Sequence, residues 1–182
     1  MSSWSAKFAM TGHLVLATLH TNDAPGAVAR LLDMNVEPYL LSSALNGVVA
    51  QRLARMVCQA CATKYYPERH ALTDAGLEES EGRAFRKGAG CPQCHNSGFK
   101  GRVGVYEVME VTDDIRRLIH RAAATHEFRD RLRQRGELNL RDEGVLLSLA
   151  GKTSLEEVLR VTRLDDVTEE VPAAGLVPGE AA

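Results

Sequence analysis

Residues 11–22 read TGHLVLATLHTN, and this stretch decides the class of fold that the sequence predicts. Apart from Thr18, residues 14 to 19 form a continuous apolar run. Such a run is typical of a strand buried on both faces of a parallel sheet, which occurs almost only in α/β proteins. The stretch therefore predicts an α/β architecture.

The residues that follow this stretch predict two helices. Asp23 is expected to cap the first, Pro25 lies in its first turn, and three residues give it an apolar stripe: Val28, Leu31 and Leu32. The second is predicted over about residues 38–49, with one face formed by Leu41, Ala44, Leu45 and Val48.

Two later segments have the pattern of strands. QRLARMVC covers residues 51–58, and GRVGVYEVMEV, residues 101–111, alternates apolar and other residues. We expect these strands to pair beneath a cysteine module that lies between them in sequence. Residues 74–90, within that module, are polar and contain glycine, which predicts a mobile surface segment.

Four cysteines form two pairs, Cys58-x-x-Cys61 and Cys91-x-x-Cys94. Paired knuckles of this spacing are typical of a tetrahedral zinc site, whose four thiolates leave no open position and make the metal structural. Gly90 and Gly98 flank the second pair and suit its tight turns. A redox pair, disulfides, or replacement of one cysteine by His95 are the alternatives.

Composition excludes several classes of protein. The formal net charge of −2 argues against a nucleic-acid surface. No apolar run reaches the length of a membrane span, and residues 1–10 lack the features of a signal peptide. We therefore expect a cytoplasmic location, where cysteines stay reduced.

The triplet Gly151-Lys152-Thr153 resembles the end of a phosphate-binding P-loop. The first glycine of such a loop would stand at position 146, which is Leu146. The triplet is instead predicted to be a turn between two helices, with Gly151 ending the first and a Thr153/Glu156 capping box opening the second.

The carboxyl-terminal third is predicted to be helical. Thr112 caps one helix, and its expected buried stripe consists of Ile115, Leu118, Ile119 and Ala122. A second helix has Phe128 and Leu132 on one face and ends at Gly136. The acidic, proline-containing residues 166–182 predict a disordered tail.

Three groups of residues are candidates for contact with a ligand or partner. His20, Thr21 and Asn22 lie at the carboxyl end of the predicted strand, where ligands of parallel sheets bind, although periodicity alone favours a helix cap and a buried histidine. Gln51-Arg52 begins a strand. The third group is expected to be a solvated helical face or a partner surface. It comprises Arg116, Arg117, Arg121, Arg129, Arg131, Arg133 and Arg135.

Several motifs in order resemble the carboxyl-terminal part of the type II secretion and type IV pilus assembly ATPases. They are TGHLVLATLHTNDAPGAVARLLDM, QRLARMVC with the paired cysteines, SGFKGRVGVYEVMEV and GKTSLEEVLRVT, within residues 11–164. The resemblance implies a hexameric RecA-like motor that uses ATP and Mg²⁺. It also implies a histidine box in which His20 lies near the γ-phosphate and His13 is the other histidine. It further implies that the four cysteines bind zinc and that an inner-membrane platform protein is a partner.

The same resemblance divides the chain into segments. It implies a divergent leader at 1–10, part of the RecA-like core at 11–57, a zinc-binding insertion at 58–101, a returning strand at 102–111, a helical subdomain at 112–165 and the tail at 166–182. In the family the P-loop, Asp box and Walker B carboxylates precede the histidine box, and this chain has none of them, so we expect no ATP hydrolysis by the chain alone. Alternatives are a stand-alone zinc-containing interaction module and a zinc-ribbon nucleic-acid binder, the latter disfavoured by charge.

Overall fold

The computed structural model describes residues 10–163. The predicted tail and, apart from Met10, the predicted leader lie outside the described residues. The described helices are α1 (Ala24–Asp33), α2 (Pro38–Ala44), α3 (Arg69–Asp74), α4 (Asp113–His120), α5 (Thr125–Gln134), α6 (Leu140–Leu149) and α7 (Leu155–Val161). The strands are β1 (Gly47–Val57), β2 (Ala62–Tyr65), β3 (Phe85–Gly88) and β4 (Phe99–Glu110), with 3₁₀ turns at Glu78–Ser80 and Pro92–Cys94.

The stretch that predicted a buried strand is not a strand among the described residues. Residues 13–20 carry no sheet pairing, and Leu14 and Leu16 are 83% and 88% exposed. A strand is buried on both faces only where other elements cover it, and no described strand pairs with this one. The two described sheets are antiparallel pairs, so the predicted parallel sheet is not present in residues 10–163.

The two predicted helices form, but the second is shorter than expected. Asp23 caps α1, as predicted, with its Oδ1 accepting the Gly26 N–H at 2.9 Å. Helix α2 ends at Ala44, and Val48 lies in β1. The helical spacing of residues 45–48 was misleading, because the backbone of this segment pairs with β4 instead.

The predicted pairing of the two longer strands is confirmed. Strand β1 runs antiparallel to β4, from Gly47 opposite Glu110 to Val57 opposite Phe99, with a register shift between Arg55 and Val57. One face of this sheet lies in the main hydrophobic core with helices α1, α2, α4 and α5. On the other face, Val49, Leu53, Tyr106 and Val108 are exposed.

A second core holds the cysteine module against the helical end of the chain. Strands β2 and β3 pair antiparallel, with Tyr65 opposite Phe85. Phe85 and Leu72 are buried with Leu155 and Val158 of α7. The prediction that residues 74–90 are only a surface segment is therefore wrong, because one aromatic residue in a polar stretch is enough to anchor a short strand in a core.

The Gly-Lys-Thr triplet is a turn between α6 and α7, as predicted. Gly151 has a φ of +71°, and the Lys152 carbonyl accepts the Val57 N–H at 3.0 Å. The cap of α7 is Ser154, not Thr153 as predicted, since Ser154 Oγ accepts the Glu157 N–H. The Thr153 hydroxyl instead donates to the Arg55 carbonyl at 2.8 Å, so the turn is tied to β1.

The helices after β4 begin and end largely as predicted. Thr112 precedes α4, whose Ile115 and Ile119 are fully buried, and Gly136 follows α5 with a φ of +73°. Ala122 does not join the buried stripe, because α4 ends at His120 and Ala122 takes a positive φ of 49° in the exposed loop.

Candidate metal centre

The pairing of β1 with β4 brings the four cysteines to one place. Cys58 directly follows β1 and its N–H donates to the Gly98 carbonyl at 2.9 Å, which joins the first knuckle to the start of β4. Each knuckle is a tight turn of the same form. The Cys61 N–H donates to the Cys58 carbonyl, and the Cys94 N–H donates to the Cys91 carbonyl.

The four sulfur atoms have the spacing that a tetrahedral metal ion requires. All four Sγ atoms lie within 4.8 Å of one another. Three of the separations are 3.9 Å (Cys58 to Cys91), 3.8 Å (Cys61 to Cys94) and 3.7 Å (Cys91 to Cys94). Metal–sulfur bonds of ~2.3 Å in a tetrahedron place the sulfurs ~3.8 Å apart. The donor set and its geometry therefore fit a four-coordinate ion bound by thiolates.

The surroundings of the cysteines give the thiol groups of Cys94 and Cys61 different pKa values. Burial disfavours the thiolate of Cys94, but the N–H groups of Cys91 and Gly98 donate to its Sγ at 3.2 and 3.3 Å and bring its pKa down to about 6. Burial raises the pKa of Cys61 to about 12, and the neighbouring thiols act in the same direction. A bound cation would replace the thiol protons and relieve this competition for charge.

Close backbone contact at the knuckles requires glycine. A Cβ at Gly88 would lie 1.9 Å from the Gly98 carbonyl oxygen, a distance at which the backbone must move. Gly90 and Gly98, the two glycines that the sequence pointed to, have φ values of +95° and +75°. Gly88 was missed, because nothing in its local sequence indicates that the end of β3 passes so close to Gly98, the residue before β4.

His95 is not part of the cysteine cluster among the described residues. It adopts a positive φ of 50° directly after the 3₁₀ turn, and its side chain is exposed. The alternative in which His95 replaces a cysteine ligand therefore has no support from the geometry.

Of the candidate ligand-contact residues near α1, the structure brings Asn22 and Arg52 into contact, whereas it leaves His13 and His20 exposed. His13 and His20 are exposed in the extended segment, and the side chain of His13 is within 3.0 Å of the Thr11 hydroxyl. The side chains of Asn22 and Arg52, which the sequence treated as two separate candidates, meet in a 2.9 Å hydrogen bond. This bond links the turn after His20 to strand β1.

Most of the arginines between 116 and 135 are used within the chain. Arg129 forms an ion pair with Asp23 at 2.8 Å, Arg121 pairs with Glu127, and Arg131 pairs with Asp114. Arg116 donates to the Ser42 carbonyl. These contacts agree with the prediction of a solvated, ion-paired helical face.

Two residues that support the cysteine module had no signal in the sequence. Tyr65 donates to Glu156 at 2.8 Å and accepts the Leu155 N–H at 3.2 Å; burial, and then Glu156, raise the pKa of its hydroxyl. Glu157 is 2% exposed and accepts hydrogen bonds from Arg55 and Arg160. Together they fix helix α7 to β1 and β2, the two strands that flank the first knuckle.

Comparison with known families gives a match over most of the chain. The family model described as "Type II/IV secretion system protein" matches residues 4–160. The chain therefore belongs to this family, which confirms the resemblance drawn from the sequence.

Individual relatives fall into two groups, secretion proteins and pilus proteins. Type II secretion system protein E of Pseudomonas aeruginosa is 44% identical over 154 residues, which are 85% of this chain and 30% of that protein. Type IV pilus assembly ATPase PilB of Thermus thermophilus is 45% identical over 156 residues, 85% of this chain and 18% of that protein. Type II secretion system ATPase E of Vibrio cholerae is 42% identical over 154 residues, again 85% and 30%.

The chain thus spans less than a third of the length of these relatives. Within residues 10–163, no helix has the length and apolar character needed to cross a membrane.

Proposed function

We propose that this chain is the carboxyl-terminal part of a cytoplasmic ATPase that powers type II protein secretion or type IV pilus assembly. The observation that carries the proposal is the family match over residues 4–160, a range that includes the histidine segment, the cysteine pairs and the helical end. In this proposal the extended segment 13–20 belongs to a RecA-like core, and the complete motor is a hexamer that acts on an inner-membrane platform protein.

The metal in the cysteine cluster is proposed to be zinc. Four thiolates with tetrahedral spacing are typical of structural zinc sites, and they leave no position for a reacting water. Zinc would hold the ends of β1 and β4 together through Cys58, Cys61, Cys91 and Cys94, and would take no part in ATP hydrolysis.

His20 and His13 are proposed to be the residues that respond to the nucleotide. Their exposure in this chain supports the proposal, because both residues are accessible, His13 at the start and His20 at the end of the extended segment. ATP and Mg²⁺ would bind only in the presence of a P-loop, which this sequence does not contain. Lys152 does not belong to a P-loop, because Leu146 occupies the position of that loop's first glycine and Lys152 lies in the turn that joins α6 and α7. The chain alone is therefore proposed not to hydrolyse ATP.

A chimeric motor tests this function directly. Residues 10–163 would replace the matching segment of the P. aeruginosa type II secretion system protein E, and ATPase activity would be measured for the chimera, for the same chimera with His20→Ala, and for this chain alone. We expect activity in the first, a large loss in the second and none in the third. A folded, hexameric chimera without activity would contradict the proposal.

The second candidate is a stand-alone zinc-containing interaction module of a secretion or pilus apparatus. It is favoured by the two hydrophobic cores, which the described residues build by themselves. Size-exclusion chromatography with light scattering and zinc analysis separates the two candidates. A soluble species with one zinc per chain favours the module, whereas aggregation that is relieved by a P-loop-containing half of a relative favours the ATPase part.

A further inference from the structure

A partly open cavity lies beside strand β4 at the helical end of the chain. Its volume is about 370 Å³, and its walls come from the start of α1, strand β4, helices α5 and α6 and the end of α7. Leu132, Leu140 and Val161 give it apolar walls, and the carboxyl groups of Glu107 and Glu137 also line it. A cavity of this size with a few polar groups is typical of a site for a small organic molecule.

Glu107 is buried and has one carboxylate oxygen without a partner. The residue is 5% exposed and sits on the inner face of β4, opposite Ala50 of β1. Its Oε2 accepts the Ala24 N–H at 3.4 Å, a long hydrogen bond. Oε1 accepts no hydrogen bond from the described residues and, unlike Oε2 of Glu137, is not fully buried.

Glu137 lines the same cavity, and its carboxylate also has an oxygen that accepts no hydrogen bond. Its Oε1 pairs with Arg135 at 2.6 Å. Its Oε2 is buried and has no hydrogen-bond partner, and it is the one such side-chain atom in residues 10–163. Two carboxyl groups of one cavity therefore each have an acceptor oxygen that no described donor reaches.

The arginines around the cavity do not supply the missing donors. Arg129 is bound to Asp23 at 2.8 Å, and Arg52 to Asn22 at 2.9 Å. Arg141 donates to the carbonyl oxygens of Asp74 and Thr162. Arg133 and Arg163 lie at the exposed rim. The oxygens of Glu107 and Glu137 that accept no hydrogen bond thus lack N–H donors, and the apolar part of the wall includes Leu132, Leu140 and Val161.

We propose that this cavity binds a small aliphatic diamine, whose ammonium groups donate to Glu107 and Glu137 while its methylene chain packs against the leucines. Ammonium groups offer three donors each and no acceptor, which matches a site that lacks donors. Charge-assisted hydrogen bonds of this kind are about twice as strong as neutral ones. The proposal does not depend on the proposed motor function, although Asn22 and Arg52 also line the cavity.

Titration of the whole, metal-loaded chain with 1,4-diaminobutane tests the proposal. Isothermal calorimetry should give saturable binding of one diamine per chain, and the uncharged 1,4-butanediol should not bind. Glu107→Gln removes the charge with little change of shape, so the dissociation constant should rise by about tenfold or more. Glu110→Gln, on the same strand but exposed, is the matched control and should bind like the unchanged chain.

Two results would overturn the proposal. One is the absence of saturable binding up to about 10 mM diamine, beyond the range of specific affinities. The other is binding that is unchanged in both Glu107→Gln and Glu137→Gln, which would mean adventitious association with surface carboxylates. Circular dichroism checks that each variant is folded, and if Glu107→Gln does not fold, Glu137→Gln alone decides.

Discussion

Replacement of Glu157 by glutamine is expected to loosen the joint between the cysteine module and the helical end of the chain. The side chain is 1% exposed and accepts the Arg55 N–H at 2.9 Å. It also bonds both guanidinium groups, at 2.7 Å to Nη2 of Arg55 and at 2.7 Å to Nη2 of Arg160. A glutamine keeps the volume but loses the charge, and its NH₂ group must face donors.

The loss of stability expected for Glu157→Gln follows from two considerations. Breaking a buried ion pair costs about 3–5 kcal/mol, and this is reduced here because the side chains of Arg55 and Arg160 are 48% and 59% exposed and can be rehydrated. Burial opposes the charged form, but Arg160 and Arg55 lower the pKa of Glu157 from 4.5 to about 2. After allowance for solvent screening, that difference corresponds to about 2 kcal/mol. We therefore expect a loss of about 2–3 kcal/mol.

The pH dependence of this contribution has a definite sign. Because the pKa in the folded chain lies below that in the unfolded chain, the folded state is stabilised above about pH 4.5, and the stabilisation is lost as the pH falls toward 2. Urea unfolding near pH 7 should show the full loss in Glu157→Gln. Near pH 3 the difference between variant and unchanged chain should shrink.

Glu79→Gln is the matched control, since Glu79 is exposed and should change the free energy of unfolding by less than about 0.5 kcal/mol. The Glu157→Gln loss corresponds to a fall in Tm of about 5–10 °C. A Glu157→Gln chain as stable as the Glu79→Gln chain would refute the role of Glu157 in joining α7 to β1.

Three further changes have defined outcomes. Removal of the metal by a chelator, or Cys94→Ser, should destabilise the β1–β4 joint, seen as faster amide exchange at Cys58, whose N–H donates to the Gly98 carbonyl; unchanged exchange would contradict a structural metal. Gly88→Ala should weaken metal binding at least tenfold in a competition assay although it removes no ligand, because its Cβ meets Gly98. Gly82→Ala meets nothing within 4 Å but is strained by a φ of +82°, so it controls for backbone strain away from the cysteines; equal affinities of the two variants would refute the contact. Burial raises the pKa of Glu107 to about 7, above its unfolded value of 4.5, so the free energy of unfolding should fall by about 2 kcal/mol as the pH rises from 4.5 to 7. Urea unfolding of Glu107→Gln should not show this fall. A parallel fall in the variant would assign the pH dependence to other groups.

The sequence predicted those features that depend on local pattern. The alternation in GRVGVYEVMEV gave β4 and its pairing, the two C-x-x-C pairs gave the cysteine cluster, and Asp23 gave the start of α1. These features succeed because the strand period, the knuckle spacing and the cap each lie within a few residues of sequence.

The features that were missed depend on partners distant in the chain. The run at 14–19 is apolar enough for a buried strand, but burial needs neighbours that residues 10–163 do not provide. Thr153 and Ser154 can both cap a helix. Ser154 is the cap, because the Thr153 hydroxyl donates a hydrogen bond to the Arg55 carbonyl instead. Glu157 resembles any exposed helix glutamate until Arg55 is brought against it.

The position of the cysteine cluster also bears on how the chain reaches its fold. A metal ion that joins Cys58 to Cys91 closes a loop across a sequence separation of 33 residues. If the metal acts as a cross-link, closing that loop in the unfolded chain removes about 4 kcal/mol of chain entropy, as a disulfide would. Unlike a disulfide, this link can form and dissociate in a reducing environment. The two long strands would then be held near their correct register by the knuckles before their ladder is complete, and metal supply would set how fast they pair.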